Sequence, residues 1–135
     1  MERPVRTEIS RSFTIEAAHR LPHVPEGHKC SRLHGHSFKI TLIVGGELDP
    51  KLGWVVDFAD IDRAFEPIFK VLDHRYLNEV PGLENPTSEL IARFVIERVK
   101  LPSGILKAVS ISETCASGCT VFADPIRDEV GGVTH

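Results

Sequence analysis

Three histidines lie where two strand-like segments of the chain are expected to meet. His34 and His36 are separated by Gly35 at the start of an apolar run, so in an extended backbone both imidazoles point to the same face. His19 ends an earlier alternating segment, on the face that also carries Phe13. If the two strands are antiparallel neighbours, the end of the first lies beside the start of the second. We therefore expect the three imidazoles to converge at one point.

This group of side chains favours a metal site. Three neutral nitrogen ligands without a thiolate are typical of catalytic zinc, which keeps a fourth position open for water or substrate. A lone His-x-His pair is more often a surface feature or a pair of satisfied core histidines. Here each histidine continues the apolar face of its strand, and inward imidazoles without a metal would leave polar nitrogens to satisfy. The spacing therefore predicts a zinc site formed by His19, His34 and His36.

Cys30 lies just before His34, on a loop that contains two prolines and a glycine and should bring the thiol to the metal. A thiol near a dication or a protonated histidine loses its proton more readily and can act as a base or a nucleophile. Two other interpretations remain, a small buried cysteine and a fourth zinc ligand that closes the site. The position of Cys30 in the sequence does not separate these three.

Asp73, His74 and Glu113 are further candidates for catalysis or ligand binding. Adjacent Asp73 and His74 can form a catalytic pair or merely a polar pair at the end of a helix. Glu113 shares the parity of Val109 and Ile111, so its carboxylate should point where the apolar side chains point. A carboxylate in that position needs a partner, and a planar ligand that offers paired N–H donors would serve as well as an arginine.

The elements around these residues predict an α+β fold. Alternation predicts strands at residues 10–20, 34–44, 54–56, 106–114 and 120–123, with residues 54–56 antiparallel to the second strand. The order of elements is two or three strands, two helices and then two strands. This order predicts an antiparallel four-stranded sheet with both helices packed on one face.

Two segments have helical spacing. The first helix should begin after Asp57, a predicted N-cap, and run from Phe58 to Leu72, with Pro67 kinking or breaking it. The second should begin in the segment 85–89, with proline in its first turn. One face of that helix is predicted to be buried and consists of Leu90, Ile91, Phe94, Val95, Arg98 and Val99.

The composition excludes several classes of protein. With 135 residues, 41% of them hydrophobic and 26% charged, the chain should form one domain over residues 1–135, with its core at about 10–123. A formal net charge of −3 gives no basic surface for nucleic acid. No apolar run has the length of a membrane span, and the N-terminus lacks the apolar core of a signal peptide, so we expect a cytoplasmic protein. The three cysteines are expected to be thiols, Cys115 and Cys119 serving in packing.

Taken together, these motifs resemble the 6-pyruvoyltetrahydropterin synthase family over residues 10–120. Within the family, the resemblance is greatest to the bacterial branch of the queuosine pathway, which forms a 6-carboxytetrahydropterin. The motifs that carry it are Glu16-Ala17-Ala18-His19-Arg20-Leu21, Cys30-x-x-x-His34-Gly35-His36, Leu72-Asp73-His74, Asn85-Pro86-Thr87-Ser88-Glu89 and Glu113-Thr114-Cys115.

The resemblance implies a tunnelling fold, in which sheets from three subunits join into a barrel and two trimers stack into a homohexamer. The implied roles are zinc binding by His19, His34 and His36, a general base at Cys30, a relay through His74 and Asp73, pterin anchoring at Glu113 and pterin contacts at Thr87 and Glu89. Glu113 is also assigned to the relay in this branch. The Asp-His pair can come from a neighbouring subunit, which would place the site at an interface.

The implied reaction converts 7,8-dihydroneopterin triphosphate to 6-carboxy-5,6,7,8-tetrahydropterin, with release of acetaldehyde and triphosphate. The nearest alternative eliminates triphosphate without loss of carbon and gives 6-pyruvoyltetrahydropterin. A related class that cleaves dihydroneopterin carries glutamate in this motif, whereas this chain has Cys30. An alternative of another kind is a zinc-stabilised assembly without catalytic activity.

Overall fold

Two long strands form the centre of the structure, a computed structural model that describes residues 5–113 and 117–124. Strand β1 is Thr7–His19 and strand β2 is His34–Gly46. They pair antiparallel along their whole lengths, from Thr7 opposite Gly46 to His19 opposite His34. The end of β1 therefore lies beside the start of β2, as the sequence predicts.

Three further strands complete the sheet. These are β3, Arg75–Tyr76, β4, Leu106–Glu113, and β5, Ser117–Phe122. The order across the sheet is β3-β1-β2-β4-β5, and β3 runs parallel to β1 while the other neighbours are antiparallel. The α+β class and the four predicted antiparallel strands, β1, β2, β4 and β5, are confirmed. The sheet has five strands rather than four, because the short parallel strand β3 is added at the β1 edge.

The predicted strand at residues 54–56 is wrong. The Asp49 carboxylate accepts hydrogen bonds from the backbone N–H of Lys51 and Leu52, and the Asp49 N–H donates to the carbonyl of Trp54 at 2.8 Å. These bonds close a tight turn in place of a ladder with β2. Val55 and Val56 then pack, half-buried, against the core. Apolar residues occur both in buried loops and in strands of a sheet, and the sequence pattern does not distinguish the two here.

Helix α1, Phe58–Leu72, begins where the sequence predicts. The Asp57 carboxylate accepts a hydrogen bond from the Ala59 N–H at 2.9 Å, which confirms the N-cap. The helix continues through Pro67, so of the two predicted effects, a kink or a break, the break is wrong. Pro67 faces solvent, where water can satisfy the carbonyl that loses its donor. The buried face of the helix consists of Ile61, Phe65, Ile68 and Leu72.

Helix α2, Ser88–Arg98, begins after Thr87, whose hydroxyl accepts a hydrogen bond from the Leu90 N–H at 3.1 Å. Pro86 therefore precedes the cap, and its predicted place in the first turn is wrong. Leu90 and Arg98 are exposed, contrary to prediction, and the guanidinium of Arg98 lies 3.7 Å above the ring of Phe94. The buried face consists of Ser88, Ile91, Ala92, Phe94 and Val95. Among the residues that the structure describes, no helix combines the length and apolar character needed to cross a membrane.

The two faces of the sheet differ in chemistry. Both helices cover the inner face, whose buried strand residues are Ile15, Ala17, Phe38, Ile40, Leu42, Val44, Val109 and Ile111. The outer face carries hydroxyl pairs at 2.8 Å, Ser12 with Thr41 and Ser110 with Thr120. The inner face thus carries both the core residues and, at one end of β1 and β2, the three predicted metal ligands.

Candidate metal centre and active site

The three predicted ligands form one group, which we call the imidazole group: His19, His34 and His36. The ring centroids are 4.6 Å apart for His19 and His34, 4.7 Å for His34 and His36, and 5.2 Å for His19 and His36. One nitrogen of each ring lies within 4.8 Å of the others. The strand register produces this arrangement, because His19 pairs with His34 and Ala17 with His36.

Backbone carbonyls orient two of these rings. Nδ1 of His19 lies 2.8 Å from the Pro86 carbonyl oxygen, and Nδ1 of His34 lies 2.7 Å from that of Arg32. Since a carbonyl oxygen only accepts, each Nδ1 carries the hydrogen, and in a neutral ring Nε2 then has the lone pair. This pattern is typical of metal-binding histidines, whose second nitrogen is fixed by a backbone or carboxylate acceptor.

His19 shows that the group suits a cation. Only 2% of the residue is exposed, and its Nε2 has no hydrogen-bond partner among the described residues. Burial is the largest influence on this imidazole and lowers its pKa, which keeps the ring neutral and able to donate a lone pair. A buried acceptor without a partner is costly, and a metal ion at this point removes that cost. The imidazole group could therefore hold a metal ion.

Glu113 lies beside the imidazole group. Its Oε1 is 3.3 Å from Nε2 of His36 and 3.9 Å from Nε2 of His19, and its Oε2 accepts a hydrogen bond from the Ser88 hydroxyl at 2.6 Å. The carboxylate therefore points to the inner face, as its parity predicts. The sequence analysis did not identify Ser88, although a serine directly after a threonine N-cap leaves one hydroxyl without a capping role.

Cys30 lies in a short 3-10 turn, Lys29–Ser31, between β1 and β2. Its carbonyl accepts a hydrogen bond from the Leu21 N–H at 2.8 Å, and its own N–H donates to Nδ1 of His28 at 3.0 Å. These bonds tie the turn to the end of β1. The side chain is half-buried, and its sulfur does not belong to the close set of ligand atoms found among the described residues.

Asp73 and His74 end helix α1. Asp73 Oδ2 lies 2.8 Å from His74 Nδ1, and Oδ1 accepts a hydrogen bond from the Glu16 N–H at 2.9 Å. The Glu16 bond, followed by the His74 bond, lowers the pKa of Asp73, so this carboxyl stays ionised at neutral pH. His74 has a φ of 57°, the left-handed conformation that glycine usually provides after a helix end. Its side chain is 77% exposed.

The Asp73–His74 pair lies at the edge of β1, where the His74 N–H donates to the Glu16 carbonyl at 2.6 Å. His74 lines a shallow cleft whose strand residues come from the ends of β1 and β2 and include one metal-ligand candidate, His36. Neither Asp73 nor His74 belongs to the close set of ligand atoms found among the described residues.

The remaining candidates are at the start of α2 and in β5. Thr87 caps α2, so its hydroxyl is engaged with the backbone, and Glu89 is exposed in the first turn. Cys119 packs against the core, as predicted, and burial is the main cause that raises the pKa of its thiol. Cys115 lies outside the described residues.

The sequence analysis also missed two hydrogen bonds that stabilise the backbone at the end of β1. Asn78 accepts a hydrogen bond from the Arg20 N–H at 2.9 Å and donates to the Arg20 carbonyl at 2.8 Å, which extends the hydrogen bonding of the strand by one residue. Arg20 directly follows His19. Asn78 therefore fixes the backbone that presents the buried imidazole. An isolated asparagine in a loop gives no pattern from which this contact can be read.

Comparison with known proteins agrees with this geometry. The family model for 6-pyruvoyl tetrahydropterin synthase matches residues 8–124. A 6-carboxy-5,6,7,8-tetrahydropterin synthase from Synechocystis is 41% identical over 122 residues, covering 85% of this chain and 92% of that protein. A dihydroneopterin monophosphate aldolase from Pyrococcus furiosus is 37% identical over 112 residues, covering 81% of this chain and 91% of that protein.

A solved structure shows the same fold. The 6-pyruvoyl tetrahydropterin synthase of Caenorhabditis elegans superposes with a TM-score of 0.80 at 27% identity, covering 90% of this chain and 99% of that one. The family model spans most of the present chain, and its matched range contains the imidazole group, Cys30, the Asp73–His74 pair and Glu113. The chain therefore belongs to the 6-pyruvoyl tetrahydropterin synthase family.

Proposed function

We propose that the protein is a zinc-dependent lyase of queuosine and 7-deazaguanine biosynthesis. It converts 7,8-dihydroneopterin triphosphate and water to 6-carboxy-5,6,7,8-tetrahydropterin, acetaldehyde and triphosphate. The observation that carries the proposal is the buried Nε2 of His19, which has no partner among the described residues and faces two further imidazoles. The 41% identity to a 6-carboxytetrahydropterin synthase favours this product.

The imidazole group is the proposed zinc site. His19 and His34 would bind through Nε2, because the Nδ1 hydrogen of each is donated to a backbone carbonyl. Three neutral nitrogens fit a catalytic zinc centre, which keeps a position for substrate. When bound, the ion supplies Lewis acidity at the hydroxyl oxygens of the substrate side chain and so acidifies the neighbouring C–H and O–H groups.

Residues around the imidazole group would bind the substrate and move its protons. Glu113 would accept hydrogen bonds from a ring N–H and the amino group of the pterin, since a carboxylate accepts paired N–H donors. Cys30, held in its turn by the Leu21 and His28 bonds, would act as the general base. Thr87 and Glu89, at the start of α2, would lie beside the bound ring.

The Asp73–His74 pair would complete the site of a neighbouring subunit. The pair lies at the β1 edge with His74 exposed, and neither side chain belongs to the close set of ligand atoms among the described residues. Asp73 would keep His74 in one tautomer through the Nδ1 contact and leave Nε2 to exchange a proton with substrate. In the described chain, β3 covers the outer edge of β1 only at Ala17 and Ala18, which leaves most of that edge to pair with another copy. A homohexamer built as a dimer of trimers would supply these contacts.

The direct test is product analysis of the metal-loaded protein. Incubation with 7,8-dihydroneopterin triphosphate should give acetaldehyde and 6-carboxytetrahydropterin in equal amounts. A 6-pyruvoyl product without acetaldehyde would replace the proposed reaction with that of the synthase alternative. Absence of any turnover would favour a zinc-stabilised assembly instead.

The Pyrococcus relative supports a second candidate, an aldolase acting on dihydroneopterin monophosphate. Such cleavage would leave a hydroxymethyl group at ring position 6 in place of a carboxylate and would release a phosphorylated two-carbon aldehyde. The mass of the pterin product therefore distinguishes the two reactions. The cysteine at position 30 favours the first candidate, since the class that cleaves dihydroneopterin carries glutamate in this motif.

A further inference from the structure

The segment 86–88, which leads into α2, contacts both parts of the proposed site. The Pro86 carbonyl accepts a hydrogen bond from Nδ1 of His19, and the Ser88 hydroxyl donates to Oε2 of Glu113. His19 lies on β1 and Glu113 at the end of β4, so these contacts cross between different strands. One short segment therefore orients both a proposed metal ligand and the proposed pterin anchor.

The Ser88 hydroxyl is available for Glu113 because its neighbour caps the helix. A serine at the start of a helix often turns back to accept a backbone N–H. Here Thr87 accepts the N–H of Leu90, and Ser88 is directed to the carboxylate instead. Ser88 is only 8% exposed, so solvent contributes little to its hydrogen bonding. The O–H···O distance of 2.6 Å is in the range of bonds to a charged acceptor.

This bond fixes the orientation of the Glu113 carboxylate. Oε2 is held by Ser88 while Oε1 faces His36 at 3.3 Å. Each carboxylate oxygen has two acceptor sites, so the contact with Ser88 leaves both oxygens able to receive an N–H from a planar ligand. A glutamate has several rotatable bonds, and holding it in place before the ligand arrives reduces the entropy lost on binding.

We propose that Ser88 is a positioning residue that sets the affinity of the site for the pterin ring by orienting Glu113. This inference rests on the proposed function, in which Glu113 receives the N–H groups of the ring. Without the hydroxyl, Glu113 can turn toward the imidazole group and presents its oxygens poorly to the ligand. Because the proposed pterin anchor binds the ring in the same way before and during the reaction, the loss of this contact should appear chiefly in KM.

The test compares Ser88→Ala with the wild type and with Ser112→Ala. Ser112 precedes Glu113 on β4, is exposed and belongs to the outer face, so it is a matched control. Ser88→Ala should raise KM for 7,8-dihydroneopterin triphosphate roughly tenfold, the usual effect of removing a hydrogen bond to a charged group. The dissociation constant of neopterin, measured by its fluorescence, should rise by a similar factor. The zinc content of Ser88→Ala should equal that of the wild type. Ser112→Ala should have the wild-type KM, neopterin affinity and zinc content.

A second pair of variants separates the hydroxyl from packing. Ser88→Thr keeps the hydroxyl and should bind neopterin as the wild type does. Ser88→Val has the shape of the threonine variant without the hydroxyl and should bind as weakly as Ser88→Ala. Equal binding by Thr and Val variants would overturn the proposal, even if Ser88→Ala does not fold. So would an unchanged KM in Ser88→Ala, or an additive loss when it is combined with Glu113→Ala. If the wild type neither binds neopterin nor turns over the triphosphate, the proposed function itself fails.

Discussion

The imidazole group and the Asp73–His74 pair lie near the same end of β1, yet they are built in different ways. His19 is buried, and backbone carbonyls fix both His19 and His34. His74 is 77% exposed, and its side chain bonds to the adjacent Asp73. The first region is arranged within one chain, whereas the second presents a polar pair on the surface. In the proposed function, a second copy of the chain would unite them.

The largest effect should follow removal of an imidazole. His34→Ala deletes one of the three rings, and two neutral nitrogens hold zinc far more weakly than three. We expect loss of bound zinc, measured by elemental analysis, and loss of activity. His23→Ala, a change on the exposed loop, is the control and should keep both. Full zinc content in His34→Ala would contradict the proposed ligand set.

The next test concerns the thiol. Cys30→Ala should abolish turnover while zinc stays bound, because the sulfur lies outside the close group of ligand atoms in the described chain. Cys119→Ala, which removes a thiol packed against the core, should retain activity. If Cys30→Ala loses its zinc, the cysteine is a ligand and the site has no open position.

Subunit mixing tests the comparison itself. Cys30→Ala and His74→Ala should each be inactive alone, and assembling them together should restore activity to roughly a quarter of wild type, the fraction of sites that receive both intact residues from different chains. The measurement is turnover after joint refolding, with each variant refolded alone as the control. Persistent inactivity of the mixture would show that each site is built from one chain.

The smallest effect should be on stability. His74 holds a left-handed backbone conformation, which costs a residue other than glycine roughly 1 kcal/mol. His74→Gly should therefore unfold at the same or a higher temperature than the wild type while losing activity, as expected where function is kept at the expense of stability. A clear drop in melting temperature would mean that the Asp73–His74 contact is chiefly structural.

The sequence predicts the imidazole group well because strand parity is strict. Once β1 and β2 are antiparallel neighbours, the face of His34 and His36 follows from the single residue between them, and His19 follows from the register. The same parity places Glu113 on the inner face. The position of a residue along its strand is thus enough to predict that side chains from β1, β2 and β4 lie on the same face.

The features that sequence reasoning missed depend on contacts without a period. Val55 and Val56 have the composition of a strand, but the turn at Asp49 directs them to the core instead. Ser88 and Asn78 are polar residues whose partners lie far away in the chain, so local pattern says nothing about them. The resemblance allowed the Asp-His pair to come from a neighbouring subunit, but the exposed position of His74 at the β1 edge depends on a left-handed residue at a helix end, which spacing does not predict.

X-ray absorption at the zinc edge of the metal-loaded protein tests the central claim most directly. The account predicts nitrogen and oxygen scatterers at about 2.0–2.1 Å, three of them imidazoles, and no sulfur scatterer near 2.3 Å. The same spectrum should be obtained from Cys30→Ala. A zinc–sulfur distance in the wild type that disappears in Cys30→Ala would contradict an ion held by three histidines with a position left for substrate.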